Sequence, residues 1–262
     1  MSNVSLHLSL DDGIGQVVLS RPEAMNSLTI DLIDEIGEAF ASLQADGAHA
    51  AVLAGEGRCF CAGADLSLVR AALEGDAPSI LAPLVDHLHT VIRLIRQLPF
   101  PVVAAVEGPA VGAGMGLALS ADLRVVGASA KFVPGYLGIG ASPDGGVSYF
   151  LTRSLGAAKA ASIVIRNRPL GAQQLLADGL ADEVVEDGTT LAAASALARS
   201  VASLPPLALI RTRQLIDHAT TQDLDHQLDL ERELVSQLWD STDFTEGVTA
   251  FLEKRPARYE GR

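Results

Sequence analysis

Two segments of small residues, about fifty positions apart, carry the clearest chemical signal in this chain. They are CAGADL at 61–66 and VGAGMG at 111–116, and each follows a short β-branched run and opens a helix-like stretch. Backbone N–H groups at a helix start are unpaired and lie at the positive end of the helix dipole, and small side chains let an oxygen approach them closely. Either segment alone favours tight strand–helix packing. The pair, in this order, predicts an oxyanion hole.

The spacing of the glycines argues against nucleotide binding. A dinucleotide loop needs G-x-G-x-x-G directly at a strand end. Here Gly112, Gly114 and Gly116 run as G-x-G-x-G, and five residues separate the strand end at Val106 from Gly112. The sequence also contains no G-K-S/T pair of a P-loop. The glycine cluster therefore favours acyl transfer or enolate chemistry.

Five motifs in register resemble those of the crotonase superfamily, also called the enoyl-CoA hydratase/isomerase family. The motifs are SRPEAMNSL at 20–28, GRCFCAGADL at 57–66, PVVAAV at 101–106 before the glycine cluster, PDGG at 143–146, and DFTEGV at 243–248 with AFLEKRP at 250–256. The resemblance covers nearly the whole chain and is closest to the isomerases that carry the Pro-Asp-Gly-Gly aspartate. It implies an α/β fold, a crotonase-like spiral of strand-strand-helix units with a C-terminal helical trimerisation region, and a homotrimer or a dimer of trimers.

The resemblance also implies an acyl-CoA thioester as the substrate, with no separate cofactor. In this family two backbone amides hold the thioester oxygen, and the motifs place them at Ala64 and Ala113. The second position is usually glycine in the family, but alanine still supplies an N–H. Each such donor contributes about 3 kcal/mol in a transition state, which is ample for an enolate. The substrate- or CoA-binding positions that the motifs imply are Arg21, Ala24, Ala62, Asp65, Leu66, Gly112, Tyr136, Phe251 and Lys254.

Three of these positions also have a purely structural interpretation. Asp65 is expected to cap a helix or to shape the CoA loop rather than to act as a catalytic group. By the resemblance, Lys254 meets a CoA phosphate and Phe251 borders the acyl chain, often across a subunit boundary. An ordinary amphipathic terminal helix is the alternative for both.

The residues around the predicted hole depart from the hydratase pattern of the family. Gly116 and Tyr136 stand where hydratases carry two glutamates, so no obvious group activates water for addition to a double bond. We expect Gly116 to make room for a larger acyl group. For Tyr136 we favour a volume-filling role with its hydroxyl toward solvent. The alternatives for Tyr136 are a hydrogen-bond donor and a wall of an aromatic acyl pocket beside Phe132.

Asp144 is the carboxylate that remains, at a position where several isomerases of the family carry aspartate. A single carboxylate can remove an α or γ proton and return it at the other end of a conjugated system, while the hole stabilises the dienolate. The structural alternative is that Asp144 caps the helix-like run at 147–155.

Three functional hypotheses follow. We favour an enoyl-CoA isomerase that shifts a double bond with Asp144 as acid and base. The second is an enoyl-CoA hydratase of fatty-acid or aromatic-acid degradation, in which another residue manages the water. The third, from a different class, is a catalytically silent acyl-CoA-binding protein.

Charge limits the partners of this chain of 262 residues, whose formal net charge is -13 and whose pI is near 4.8. Such a surface repels nucleic acid and anionic membranes, so we expect neither as the main partner. A polyanionic ligand such as CoA needs a local basic patch. The motifs offer Arg21, Arg58, Lys254 and Arg255 for it.

Cysteines and histidines point to no metal and no disulfide. The two cysteines, Cys59 and Cys61, are separated by one residue, and a C-x-C pair lacks the second ligand pair of a zinc site. The six histidines show no metal-ligand spacing. Residues 1–4 lack the basic start and apolar core of a signal peptide, and no apolar run reaches the length of a membrane span. We therefore expect a cytoplasmic protein.

Hydropathy patterns predict the elements that position these residues. Strands at 4–10 and 14–20 form a hairpin, and a helix follows with Thr29 or Asp31 as its cap. The further strands are expected at 50–54, 102–106 and 123–126. The further helices are expected at 80–98 and 147–155, then from 170 onward, with one beginning at Pro205-Pro206 and one at 222–239. We divide the chain into an α/β core with the acyl-CoA site at 1–200 and a C-terminal helical region at 201–262.

Overall fold

The computed structural model describes residues 5–261, and the strands in this range form two sheets. The strands are β1 (Leu6–Asp11), β2 (Ile14–Leu19), β3 (Ala50–Gly55), β4 (Val102–Val106), β5 (Pro109–Val111), β6 (Leu123–Gly127), β7 (Lys131–Val133), β8 (Leu170–Gly171) and β9 (Glu183–Val185). The larger sheet has the order β1-β2-β3-β4-β6-β9, in which β1 and β2 pair antiparallel and all other neighbours pair parallel. The smaller sheet has the order β5-β7-β8.

Helices connect the parallel strands and make up most of the chain after β9. They are α1 (Ile30–Ala45), α2 (Leu66–Glu74), α3 (Ala77–Gln97), α4 (Ala113–Ser120), α5 (Val147–Leu155), α6 (Ala157–Ile165), α7 (Ala172–Ala177), α8 (Thr190–Ala202), α9 (Pro206–His218), α10 (Leu224–Ser236) and α11 (Thr242–Glu253). In the range 5–261, no single helix has both the length and the apolar composition to cross a membrane; the bent pair α8 and α9 meets that criterion by length and composition only.

The predicted hairpin is confirmed from β1 onward. Asp11 pairs with Ile14, so Asp12 and Gly13 form a two-residue turn. Both have positive φ, 48° and 74°, which is the backbone that a tight turn between right-twisted strands requires. Val4, the predicted first residue of the hairpin, lies outside the described residues.

The two central strands β3 and β4 are covered on both faces. Side chains alternate across a strand, so β4 sends Val102, Ala104 and Val106 to one face and Val103 and Ala105 to the other. The first face packs against α1 and α3, and the second packs against α8. This two-sided burial explains why both strands read as continuous apolar runs.

Helix α1 confirms the prediction made from helical spacing. Thr29 is its cap, because its Oγ1 accepts from the backbone N–H of Leu32 at 3.2 Å. The apolar residues that fall at helical spacing along α1 are all buried: Leu32, Ile33, Ile36, Ala39, Phe40 and Leu43. The next predicted helix, 80–98, begins three residues earlier, at Ala77, and ends at Gln97.

An arginine attaches the last helices to the sheet region. The Arg213 guanidinium on α9 donates to the carbonyl oxygens of Ile95 at 2.8 Å, Leu98 at 3.0 Å and Phe100 at 3.2 Å. These oxygens lie in the last turn of α3 and just beyond it, where helix geometry leaves carbonyls short of backbone donors. The predicted division at 200/201 falls inside α8, and the division into two regions stays a prediction.

Candidate active site

A cleft with a volume of about 1030 Å³ opens beside the first small-residue segment. Five of the predicted site residues line it: Ala24, Ala62, Ala64, Asp65 and Leu66. The other lining residues are Pro22, Glu23, Met25, Ser27, Gly57, Arg58, Cys59, Pro109 and Val111. Arg58 is therefore the basic candidate that borders the cleft.

Asn26, which sequence reasoning did not single out, holds the wall of this cleft. Its side-chain Nδ2 donates to the carbonyl oxygens of Cys59 at 2.7 Å and Glu56 at 2.9 Å, and its Oδ1 accepts from the backbone N–H of Arg21 at 2.9 Å. The side chain is fully buried. A buried amide with three satisfied hydrogen bonds fixes its neighbours in place, since breaking any of them leaves a buried polar group unpaired. The only sign of this role in the sequence is that Asn26 lies inside the first motif, SRPEAMNSL at 20–28.

Asp65 caps α2, as the sequence predicted. Its Oδ1 accepts from the backbone N–H of Ser67 at 2.9 Å and from the Ser67 hydroxyl at 2.6 Å. Its Oδ2 accepts from the Ser27 hydroxyl at 2.8 Å and from Arg21 Nη2 at 3.0 Å. Hydrogen bonds from Ser67 above all, joined by those from Ser27 and Arg21, hold the pKa of the Asp65 carboxyl well below its usual range. Arg21 is thus paired with Asp65 and does not line the cleft.

The two predicted oxygen-binding amides lie on neighbouring segments. Cys61 and Ala110 form a parallel bridge, with the Val111 N–H donating to the Cys61 carbonyl at 2.9 Å. A Cβ placed on Gly63 would lie 3.6 Å from the backbone nitrogen of Ala113. In residues 5–261 neither the Ala64 nor the Ala113 N–H donates to a protein acceptor.

Gly112 turns the chain so that Ala113 becomes the first residue of α4. Its φ of 53° and ψ of -118° suit glycine alone, and its own N–H donates to the Val133 carbonyl at 2.9 Å. Helix α4 is buried along its whole length. The Ala113 N–H therefore lies at the positive end of a helix shielded from water, where an oxyanion is stabilised most strongly.

The segment that carries Asp144 lies against the start of α4 at Ala113. A Cβ on Gly145 would lie 3.6 Å from the Ala113 Cα, so the two segments are in contact. The Asp144 Oδ1 accepts from the Tyr136 hydroxyl at 2.8 Å. The capping alternative for Asp144 is wrong, because Gly146 precedes α5 and no side chain caps that helix.

Tyr136 is buried, and its hydroxyl donates to Asp144. The favoured interpretation, a hydroxyl facing solvent, is therefore wrong, and the hydrogen-bond alternative is right. Burial, together with the neighbouring Asp144 charge, raises the pKa of the Tyr136 hydroxyl far above its usual value. Tyr136 consequently stays protonated and remains a donor to the carboxylate at any physiological pH.

Gly116 makes room for the protein backbone and not for an acyl group, which corrects the expectation from the sequence. A Cβ at this position would stand 2.3 Å from the Gly145 carbonyl oxygen. The backbone of Gly145, the residue after Asp144, thus fills the space that a side chain at 116 would need.

His89, on α3, is a second residue that sequence reasoning missed. Its Nε2 accepts from the backbone N–H of Gly145 at 3.2 Å. Spacing along the chain can reveal sets of metal-ligating histidines, but it does not reveal a contact between residues 56 positions apart. In the described range, no group of three or more His, Cys, Asp and Glu side chains is placed to hold a metal ion.

Both cysteines are free and buried beside the first segment. Burial raises the pKa of the Cys61 thiol to about 12 and raises that of Cys59 as well. The Cys59 thiol donates to the Pro109 carbonyl at 3.3 Å. A protonated thiol is a poor nucleophile, so the raised pKa values argue against a nucleophilic role for either cysteine.

Phe251 and Lys254 lie away from the cleft in a single chain. Phe251 is 83% exposed on α11, and Lys254 ends that helix with a φ of 57°. Arg255, another basic candidate, is held by Glu246 at 2.7 Å and by Glu253 at 2.7 Å. The structure therefore brings together the predicted residues of the first three motifs and Asp144, and leaves the C-terminal pair apart.

Proteins similar in sequence to this chain carry both hydratase and isomerase names. The family model for enoyl-CoA hydratase/isomerase matches residues 9–262. A 1,2-epoxyphenylacetyl-CoA isomerase of Escherichia coli is 35% identical over 254 residues, which cover 97% of each chain. A probable enoyl-CoA hydratase of Rhodobacter capsulatus is 35% identical over 262 residues, all of both chains.

The fold agrees with solved structures. A crystal structure of an enoyl-CoA hydratase from Polaromonas sp. JS666 superposes with a TM-score of 0.93 at 35% identity, covering 97% of this chain and 99% of that one. The expected α/β fold of strand-strand-helix units is thereby confirmed. The chain belongs to the enoyl-CoA hydratase/isomerase family and has its crotonase fold.

Proposed function

We propose that this enzyme is an isomerase that shifts the double bond of an enoyl-CoA thioester, with Asp144 as the acid and base. The observation that carries the proposal is the position of Asp144: the next residue, Gly145, contacts Ala113, and a buried hydroxyl orients the Asp144 carboxylate. The amides of Ala64 and Ala113 are the proposed donors to the thioester oxygen. The large cleft beside Ala64 is the proposed CoA channel, with Arg58 at its wall.

The reaction needs one group that both takes and returns a proton. Asp144 removes the α proton of a 3-enoyl thioester, and the electrons of that C–H bond form a dienolate whose oxygen accepts from the two amides. The same proton then returns to C4, and the double bond moves to C2–C3 with no change in mass. Because nothing is added or lost, one carboxylate suffices.

The hydrogen bond from Tyr136 supports the proposed role of Asp144 as acid and base. The Tyr136 hydroxyl donates to Oδ1. Within residues 5–261 no protein donor reaches Oδ2, and we assign that oxygen to the substrate proton. A donor that cannot ionise at physiological pH keeps the carboxylate oriented throughout the proton shift.

Hydratase activity is the second candidate, because several similar proteins, including the Rhodobacter relative, carry that name. Hydration needs a group that places and activates water. The position at 116, where hydratases of the family carry one glutamate, is closed by the Gly145 peptide. This packing favours the isomerase.

The deciding experiment gives the purified enzyme a 3-enoyl-CoA and the matching trans-2-enoyl-CoA, with products followed by chromatography and mass detection. The isomerase converts the 3-enoyl substrate at unchanged mass, and Asp144→Ala loses this conversion while it still binds CoA. A product heavier by one water from the 2-enoyl substrate would establish the hydratase instead. Silence on both, with CoA bound, would favour a binding protein.

We further propose a homotrimer or a dimer of trimers in the cytoplasm, with Phe251 and Lys254 completing the acyl-CoA site of a neighbouring subunit. Two features support the assembly: an apolar groove of about 400 Å³ between α9 and α11, and the exposed Phe251 at its edge. Free, buried thiols suit a reducing compartment. Light scattering of the eluting protein gives the assembly mass, and a monomer would overturn this proposal.

A further inference from the structure

Gly145 is the point at which the Asp144 segment is attached to the body of the enzyme. The residue is buried, its N–H donates to His89 on α3, and its carbonyl faces Gly116 on α4. Its φ is 55° and that of Gly146 is 75°. Two consecutive glycines have little conformational preference of their own, so contacts from outside must determine where Asp144 lies.

On the side of α4, the Gly145 backbone leaves no space for a side chain at position 116. A Cβ on Gly116 would lie 2.3 Å from the Gly145 oxygen, 2.9 Å from its carbonyl carbon and 3.2 Å from its Cα. All three are backbone atoms, so the clash cannot be relieved by rotating a side chain. Any larger residue at 116 must displace the peptide next to Asp144.

The α3 side supplies a directed hydrogen bond. His89 Nε2 lies 3.2 Å from the Gly145 nitrogen, and it accepts only when that ring nitrogen carries no proton. Leu88, the preceding residue on α3, stands 3.3 Å from the point where a Gly145 Cβ would be. The Gly145 peptide is therefore held between the two helices.

We propose that His89 and Gly116 are positioning residues for the reaction: together they clamp the Gly145 peptide and so fix the position of Asp144, the residue before it. The inference rests on the proposed function of Asp144 and adds the residues that place it. Neither residue touches the reacting atoms. A displacement of the carboxylate by about 1 Å is enough to lower a rate by about a hundredfold, which makes such positioning a requirement of catalysis.

The first test replaces the acceptor on α3. His89→Leu removes it, and His89→Gln restores an acceptor in the form of an amide oxygen. We expect His89→Leu to lower kcat on the 3-enoyl substrate at least about tenfold with KM within about twofold, and His89→Gln to recover most of the loss. His87→Leu is the matched control on the same helix, because the His87 ring pairs with Asp34 and not with Gly145.

Hydrogen exchange at the Gly145 amide gives a readout that does not depend on turnover. The amide should be protected in the wild type and in His89→Gln, and it should exchange faster in His89→Leu. A general loss of stability would give a different result, because it would also speed exchange at the amides of α3 and α4.

The second test acts from the α4 side. Gly116→Ala should lower kcat about a hundredfold with KM nearly unchanged, since the Gly145 peptide must move away from α4. Gly171→Ala is the control, because a Cβ there meets nothing within 4 Å and the φ of -81° suits alanine.

The outcomes separate this clamp from the proposed function. If Asp144→Ala abolishes isomerisation while His89→Leu and Gly116→Ala both retain wild-type kcat, the clamp is wrong and the isomerase stands. If Asp144→Ala keeps full activity, the proposed function fails. In that case the clamp still requires fast Gly145 exchange in His89→Leu, and protection equal to the wild type would overturn it.

Discussion

The two sides of the candidate active site are built differently. The side that includes Ala64 is held by a set of buried polar side chains, in which Asn26 makes three hydrogen bonds and the Asp65 carboxylate accepts four. The side that carries Asp144 is held by one hydroxyl, one imidazole nitrogen and the close packing of two glycines.

This difference in construction matches the two roles that we propose for these sides. A hole for a thioester oxygen requires fixed backbone amides, and many mutually dependent hydrogen bonds keep them rigid. The side proposed for acid/base chemistry depends on few contacts, so substitutions there can be tested without disturbing the side proposed to bind the oxygen. Five measurements test this contrast.

Asp144→Ala should have the largest effect, and it should act on chemistry alone. We expect kcat on a 3-enoyl-CoA to fall by about a hundredfold or more, because the group that moves the proton is lost. CoA affinity by calorimetry should stay near the wild-type value, since Asp144 is not among the residues that line the cleft. A lower CoA affinity of similar size would mean that the two sides are not separable.

Asp65→Asn should instead affect stability. Loss of the charged acceptor for Ser27, Ser67 and Arg21 should lower the free energy of unfolding by about 2 kcal/mol near neutral pH. The measurement is denaturant unfolding followed by circular dichroism. Asp76→Asn is the matched control, because Asp76 precedes α3 without a side-chain cap to the backbone. Equal stability of both variants would contradict the rigid construction of this side.

The same substitution has a pH dependence whose sign follows from the lowered pKa of Asp65. A carboxyl whose pKa is lower in the folded than in the unfolded protein stabilises the fold above its unfolded pKa of about 4, and this contribution is lost as the pH falls through the folded pKa. The difference in unfolding free energy between the wild type and Asp65→Asn should therefore be constant above about pH 5 and shrink in acid. A difference that grows in acid would refute the assignment.

Tyr136→Phe should have a moderate effect confined to the acid/base side. Removing the donor to Asp144 should lower kcat about tenfold and leave KM unchanged, because the ring volume is kept and only the hydrogen bond is lost. Tyr149→Phe is the control, since Tyr149 is exposed and stacks with Arg153. Unchanged kcat in Tyr136→Phe would show that Asp144 is oriented by its backbone alone.

Thiol alkylation should have the smallest effect. Because burial raises the pKa of both Cys59 and Cys61, iodoacetamide at neutral pH should label less than about a tenth of either thiol in the native protein. Activity should be unchanged, and both thiols should react in unfolded protein. Rapid labelling of Cys59, which borders the cleft, would mean that the oxygen-binding side opens in solution.

Elements with a strong local signal were predictable. The buried face of α1, the span of α5 and the two central parallel strands follow from spacing, capping and apolar runs, all of which lie within one stretch of chain. Strands of two or three residues, such as β7 and β8, were not predicted as such. Two or three residues are too few to show a periodicity. The pairing of these strands is decided instead by neighbours far away in the sequence.

The sequence by itself determined the family, the small residues at 61–66 and 111–116, the lack of glutamate at 116 and 136, and the presence of a carboxylate at 144. These are properties of residue type and order. The tertiary structure alone decided that the Gly145 peptide fills the space beside Gly116, that the Tyr136 hydroxyl turns inward to Asp144, and that His89 reaches Gly145 from α3. Each of these depends on how separate elements approach one another in space, and packing between distant segments leaves no periodic trace in the chain.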